Sequence, residues 1–374
     1  QPRLNGGYVK KRIPWNAETL RQDYGKGYIA HVPKFDGFCT VPDHVNYRPV
    51  VDKFLNLYEP IDHKPMEGDF PSVRSLVRHI FGEQYELGLD YLQLLYLHPV
   101  QKLPILLLVS EERNTGKTTF LNFLKALFQN NVTFNTNEDF RSQFNADWAG
   151  KLLIVVDEVL LSRREDSERL KNLSTTLSYK VEAKGKDRNE IAFFAKFVLC
   201  SNNEHLPVII DAGETRYWVR KIKHLESDDT DFLQKLKAEI PAFLYFLTQR
   251  KLSTEKESRM WFNPKLLHTE ALQRIIRSNR NRLEIEMSEL ILDIMASTGI
   301  DTFSFCLNDM LLLLTCTQVK AEKYQVRKVI QDCWKLQLAP NGLTYTTYRY
   351  DAFRECHYYP AKQVGRFYTI SKEQ

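Results

Sequence analysis

Ile105-Leu106-Leu107-Leu108-Val109-Ser110-Glu111-Glu112-Arg113-Asn114-Thr115-Gly116-Lys117-Thr118-Thr119-Phe120 is the stretch that decides how this chain reads. An apolar run gives way to a short polar loop, and apolar residues then return at helical spacing. A buried strand, a turn that leaves backbone N–H groups unpaired, and a helix N-terminus facing an anion make up a phosphate-binding loop. Gly116 lets the backbone come close to phosphates, and Lys117 reaches the β- and γ-phosphates of a nucleotide. The Thr118 hydroxyl suits the Mg²⁺ that accompanies them, and Asn114, Thr115 and Thr119 complete the cradle. The usual pattern is G-x-x-x-x-G-K-[ST], and Glu111 stands at its first glycine. That glycine serves a turn rather than the chemistry. Glu111 brings a carboxylate towards the phosphates unless its side chain turns to solvent. The competing reading is an ordinary strand–turn–helix with a solvated lysine.

The next strands argue against that competitor. Leu152 to Val156 is a continuous apolar run ending at Asp157-Glu158. Such a run reads as a strand buried on both faces of a parallel sheet. Carboxylates at its carboxyl end stand where an open α/β sheet binds its ligand. Asp157 is expected to hold Mg²⁺, directly or through water, and Glu158 to orient or deprotonate the attacking water. A third apolar run, Lys196 to Cys200, ends in Ser201-Asn202-Asn203. An amide at that strand tip, Asn202, is placed to hold the water and sense the γ-phosphate.

The succession of phosphate loop, strand with Asp-Glu, and strand ending in Ser-Asn resembles the superfamily 3 helicases. These are replicative helicases of small DNA viruses, poxviruses, phages and plasmids, built on an AAA+ core. The likeness runs most of all to the primase-helicases of phages and integrated mobile elements in Bacteroides-like bacteria. The phrases Phe54 to Tyr58, Glu67 to Pro71, Tyr85 to Leu97 and Trp261 to Pro264 fit the segments flanking the core in that group, so the resemblance spans about residues 50 to 285. It implies an ATP- and Mg²⁺-dependent DNA helicase that moves on single-stranded DNA as a homo-oligomer, a hexameric ring. The direction it implies is 3′ to 5′. It also implies a DNA-gripping segment between the acidic strand and the Asn strand. Tyr179 to Arg188 lies there, with Lys180, Lys184, Lys186 and Arg188 around Gly185. Phosphate contact by such cations is independent of sequence, as a translocating motor requires. The family places an arginine beyond the Asn strand that reaches the nucleotide of the neighbouring subunit. Arg216 is the best fit in Asp211 to Lys223, and Arg220 the second.

Composition agrees with this picture. With 374 residues, 43% of them hydrophobic, the chain has material for two or three domains. A formal net charge of +5 suits a nucleic-acid partner without demanding one. The six cysteines are scattered with no C-x-x-C pair, which indicates neither a zinc site nor a disulfide framework. No apolar run is long enough to span a bilayer, and no membrane partner is expected. The expected place is the cytoplasm of a bacterial host cell. The start at Gln1 suggests a fragment, with a primase domain upstream in the full-length chain.

The expected fold class is α/β, an AAA+ P-loop core with a parallel sheet. Residues 1–50 read as an irregular segment, 51–102 as a helical collar, 103–250 as the core and 251–298 as a helical linker or lid. Residues 299–374 read as a winged-helix-like α+β domain. Helices are expected over Ser72–Phe81, Tyr85–Leu97, Phe232–Arg250 with Pro241 as a kink or break, Leu266–Leu292, Phe303–Leu314 and Tyr324–Lys335. Strands are expected over Gly342–Tyr350 and Val364–Ile370. Arg349, Arg354, Lys362 and Arg366 are expected phosphate contacts of that last domain. A reading of a different class stands beside the helicase: a nucleotide-dependent initiator or assembly ATPase that binds DNA without processive unwinding. An NTPase with no nucleic-acid role is a third.

Overall fold

The computed structural model describes residues 15–140, 148, 150–181, 189–211, 213–225, 229–353 and 357–372. The chain divides into two compact units, Gln1–Val41 with Tyr47–Tyr58, and Pro42–Asn46 with Glu59–Gln374. The first carries helix α1 (Ala17–Tyr24) and strands β1 (Gly37–Cys39), β2 (Val50–Val51) and β3 (Phe54–Asn56), in the sheet order β1-β3-β2. Its organising side chain is the buried Asn56, whose amide bonds Val41 N and O, Arg48 O and Tyr58 N.

The second unit opens with α2 (Pro71–Phe81) and α3 (Tyr85–Leu97), then β4 (Ile105–Val109), α4 (Lys117–Phe128), β5 (Val132–Asn135) and β6 (Leu153–Val156). There follow α5 (Arg164–Thr175), β7 (Ser178–Val181), β8 (Asn189–Ala192), β9 (Lys196–Ser201), β10 (Tyr217–Lys221) and α6 (Phe232–Gln249). The chain closes with α7 (Glu270–Thr298), β11 (Thr302–Phe305), α8 (Leu307–Cys316), α9 (Lys323–Lys328), β12 (Leu343–Tyr350), β13 (Tyr358–Gly365) and β14 (Tyr368–Ser371).

Five strands form one parallel sheet in the order β10-β4-β9-β6-β5. Alternate side chains go to opposite faces, as a strand's period of two requires. Leu106, Leu108, Leu153, Val155, Val198, Cys200 and Trp218 join one core with α2, α3, α4 and α6. Ile105, Leu107, Val109, Ile154, Val156, Phe197, Leu199, Tyr217 and Val219 join the other, with α5 and the first turns of α7. Burial on both faces explains why these strands read as unbroken apolar runs.

Helix α3, read as part of a collar, has ten buried residues out of thirteen and packs in the same core as α4 and α6. Helix α6 runs through Pro241 unbroken; Pro241 lacks an N–H to donate, and its carbonyl accepts from Met66 N at 3.1 Å. Helix α7 begins at Thr269, whose hydroxyl accepts from Leu272 N, and stops at Gly299, with φ +69°. It is one rod serving two cores: Leu272, Ile275 and Ile276 pack on the sheet, while Met287 to Met295 enter a third core with the C-terminal elements.

In that third core the structure corrects two expectations. Phe303 to Phe305 form strand β11, not the start of a helix. Phe303 and Phe305 point inward at a spacing of two, and β11 pairs antiparallel with β14. The expected strand Val364–Ile370 is two strands: β13 ends at Gly365 in the β12–β13 ribbon, and β14 turns away to join β11. Helix α9 stops at Lys328 and continues as one wide turn over Val329–Cys333. Arg349 pairs with Asp309 at 3.3 Å and Arg366 donates to Ala339 O, so both are bound within the domain. Arg354 lies outside the described residues. The described cysteines, Cys39, Cys200, Cys306, Cys316 and Cys333, are in no disulfide.

Candidate nucleotide site

The carboxyl ends of β4, β9 and β6 lie side by side, and each delivers one part of the site. Strand β4 runs into the loop Ser110–Gly116, and Gly116 at φ +77° turns the chain into α4. A Cβ at Gly116 would stand 3.3 Å from Leu225 Cδ1 and 3.7 Å from the His79 ring, a close but adjustable fit, so it is the left-handed backbone that calls for glycine. The first helical bond of α4 runs from Phe120 N to Gly116 O at 2.9 Å. The N–H groups of Lys117, Thr118 and Thr119 therefore precede the helical ladder and face the loop, the arrangement that receives an anion.

Lys117 is 6% exposed, and its ammonium is folded into the loop. It donates to Ser110 Oγ, to Thr115 Oγ1 at 3.1 Å and to Asn202 Oδ1 at 3.0 Å. Burial lowers its pKa from the ordinary lysine value, against the raising influence of Cys200, Asp157, Glu204 and Glu158. Thr118 Oγ1 donates to Asp157 Oδ2 at 2.8 Å. A hydroxyl and a carboxylate meeting at a phosphate loop are hard oxygen donors of the kind Mg²⁺ prefers, so these residues fit that ion. Asp157 Oδ1 also accepts from Glu158 N at 3.2 Å. Glu158 is exposed and holds left-handed backbone, φ +58°. A non-glycine residue there is strained, and Asn137 restrains it by donating to Glu158 O at 3.1 Å and accepting from Leu160 N at 3.0 Å.

The strand order supplies what spacing along the chain could not. Strand β9 lies between β4 and β6, so Asn202 emerges between Lys117 and the Asp157-Glu158 pair. Glu111 turns its side chain outward, 62% exposed, to His205 Nε2 at 3.2 Å. Its backbone N–H instead donates to Glu204 Oε1 at 3.1 Å. Glu204 was not foreseen from sequence. It is 2% exposed and also receives Lys221 Nζ at 2.8 Å and Arg274 Nη1 at 2.9 Å. Burial pushes its carboxyl up, but Lys221, Glu111 N and Arg274 hold the net pKa below the usual carboxylate range. His79, bonded to Thr115 O at 3.0 Å, was likewise missed. Only an acid and a histidine in polar surroundings mark these two in the sequence, and that is no signal.

The two arginines differ in placement. Arg216 is 28% exposed, pairs with Glu214 at 3.6 Å, and lies just before β10. Arg220 is 6% exposed. The alternation of β10 turns it towards α2, where it donates to Phe81 O at 2.7 Å, Glu83 at 2.7 Å and Gln84 at 2.9 Å. A guanidinium on the last carbonyls of a helix is favoured by the helix dipole. Arg220 thus ties β10 to the end of α2. Lys180 lies on β7, opposite Glu190 on β8, in a hairpin between β6 and β9. Lys184, Lys186 and Arg188 lie outside the described residues.

A parallel sheet in this order, with a glycine-turned loop leading to a helix and with polar residues at adjacent strand ends, defines a P-loop NTPase-like fold. Residues 108–220 match a family of unknown function, DUF5906. No curated protein matches the chain. Among solved structures, the apo structure of the NrS-1 C-terminal region is similar over 96% of this chain and 91% of that chain, at 17% identity and a TM-score of 0.59. The A form of the same region covers 96% and 92%, at 17% identity and a TM-score of 0.58. Likeness at this identity is one of fold. A JCV helicase structure matches 62% of this chain and 66% of that chain, at 15% identity and a TM-score of 0.33, too low to carry an argument. Among the described residues no helix is long and apolar enough to cross a membrane.

Proposed function

We propose that this chain is the motor part of an ATP- and Mg²⁺-dependent DNA helicase of the superfamily 3 kind, acting as a ring on single-stranded DNA. The observation that carries the reading is the convergence of Lys117, Asn202 and the Thr118–Asp157 pair at three neighbouring strand ends. Lys117 and the first N–H groups of α4 bind the β- and γ-phosphates. Thr118 and Asp157 hold Mg²⁺, which when bound neutralises charge on the phosphate oxygens. Glu158 takes the proton of the attacking water, and Asn202 orients that water against the γ-phosphate.

The same reading assigns DNA contact to the β7–β8 hairpin with Lys180, Lys184, Lys186 and Arg188, and a DNA-facing role to the C-terminal domain. It takes residues 51–102 as a collar contributing to ring assembly, a hexamer. It places that motor in a phage or mobile element replicating in the bacterial cytoplasm. Arg216 completes the site of the adjacent subunit. Mixing Arg216→Ala with Lys117→Ala subunits, each inactive alone, should restore part of the turnover, because mixed interfaces pair an intact loop with an intact arginine. No recovery at any mixing ratio would rule out action in trans.

The test of the whole reading is ATP hydrolysis with and without single-stranded DNA at low and moderate salt, followed by strand displacement from a tailed duplex. Stimulation by DNA that fades with salt, together with ATP-dependent displacement, is expected. DNA-stimulated turnover without displacement would instead establish the initiator or assembly ATPase. That second reading draws on Glu111, which departs from the usual loop pattern.

A further inference from the structure

One short segment holds both ends of the phosphate loop. Asn202 accepts from Lys117 at the loop's end, and two residues later Glu204 accepts from Glu111 N at its beginning. The usual glycine at that beginning provides a turn by conformational freedom. The left-handed residues of the loop are Asn114, φ +53°, and Gly116, φ +77°; Glu111 at its beginning is not left-handed, so that end lacks a glycine's freedom and is shaped by a hydrogen-bond restraint instead. Glu204 is that restraint. It is fixed in turn by Lys221 at the end of β10 and Arg274 on α7, which balance its buried charge.

We infer that Glu204 is a positioning residue of the nucleotide site, setting the first turn of the phosphate loop through the Glu111 N–H in place of the missing glycine. The inference rests on the nucleotide-binding reading above. It separates two roles of one carboxylate, reach to the Glu111 N–H and charge opposite Lys221 and Arg274. Reach governs nucleotide affinity; charge balances the two cations and leaves affinity alone.

Two variants divide them. Glu204→Asp keeps the charge but withdraws the oxygen from Glu111 by one methylene. Lys221→Met removes one of the facing charges and leaves the Glu204 carboxylate and its bond to Glu111 N–H in place. Each is titrated with a fluorescent ATP analogue, and KM and kcat for ATP are measured, with thermal unfolding as the check of folding. Glu204→Asp should weaken analogue binding and raise KM by about tenfold, with kcat within about threefold of wild type, the effect of losing one hydrogen bond to a charged group. Lys221→Met should leave KM within about threefold of wild type. Normal affinity in Glu204→Asp, or equal losses in both variants, would overturn the inference. Failure of the wild-type chain to bind the analogue would instead overturn the nucleotide reading itself.

Discussion

Lys117→Ala should lower ATP turnover by at least about a hundredfold to a thousandfold, the scale of removing one preorganised charge stabiliser from a reacting centre. The side chain is already gathered into the loop by Ser110, Thr115 and Asn202. The lysine needs to exchange only these neutral acceptors for phosphate oxygens, and a charge-assisted bond to phosphate is the stronger one. Alanine leaves Ser110, Thr115 and Asn202 short of a donor, at a cost of about 1–3 kcal/mol for a buried group left unsatisfied. A modest fall in melting temperature should therefore accompany the loss of activity. The check is steady-state hydrolysis beside a thermal scan. Turnover within twofold of wild type in a folded variant would remove the phosphate loop from the chemistry.

Glu158→Gln should bind ATP with wild-type affinity and hydrolyse it about a hundredfold to ten-thousandfold more slowly, the range that a positioned general base contributes. Glutamine matches glutamate in size and keeps the acceptor oxygen, but it cannot take a proton. Glu158 is exposed at the open end of β6, and its strained backbone is held by Asn137. Among the described residues its carboxylate is in no hydrogen bond or ion pair that glutamine would break. Equilibrium titration with a nucleotide analogue and single-turnover hydrolysis separate the two effects. Lost binding would give Glu158 a structural part; unchanged hydrolysis would take it out of catalysis. The two variants together form a signature: Lys117→Ala impairs binding and turnover, Glu158→Gln turnover alone.

How far these residues were legible in the sequence depends on the range of the signal. The loop from Ser110 to Lys117 is local: its strand, its turn and its helix are contiguous, and each is written in residues a few positions apart. The apolar runs of β4, β6 and β9 declare burial on both faces because no polar residue interrupts them. Helix α3 falls at Tyr85–Leu97, as its spacing predicts. The β11 strand was missed although Phe303 and Phe305 alternate with Ser304, because its partner β14 lies some 65 residues away and a short apolar run fits a helix as well. The same long-range pairing cut the expected strand Val364–Ile370 in two.

The sequence by itself determined the chemistry on offer: a phosphate loop, an acidic strand end, an amide strand end, and a sheet with both faces covered. Only the tertiary structure decided which of these meet. Placing β9 between β4 and β6 brings Asn202 to Lys117, and no feature of spacing encodes that order. Two arginines of similar appearance, Arg216 and Arg220, parted because Arg220 lies within β10 and is carried onto the end of α2, whereas Arg216 precedes the strand and stays partly exposed beside Glu214. Glu204 became visible only when three separate segments delivered a backbone N–H, an ammonium and a guanidinium to one carboxylate. A side chain's role in such a place is set by what encloses it, and enclosure is a property of the folded chain.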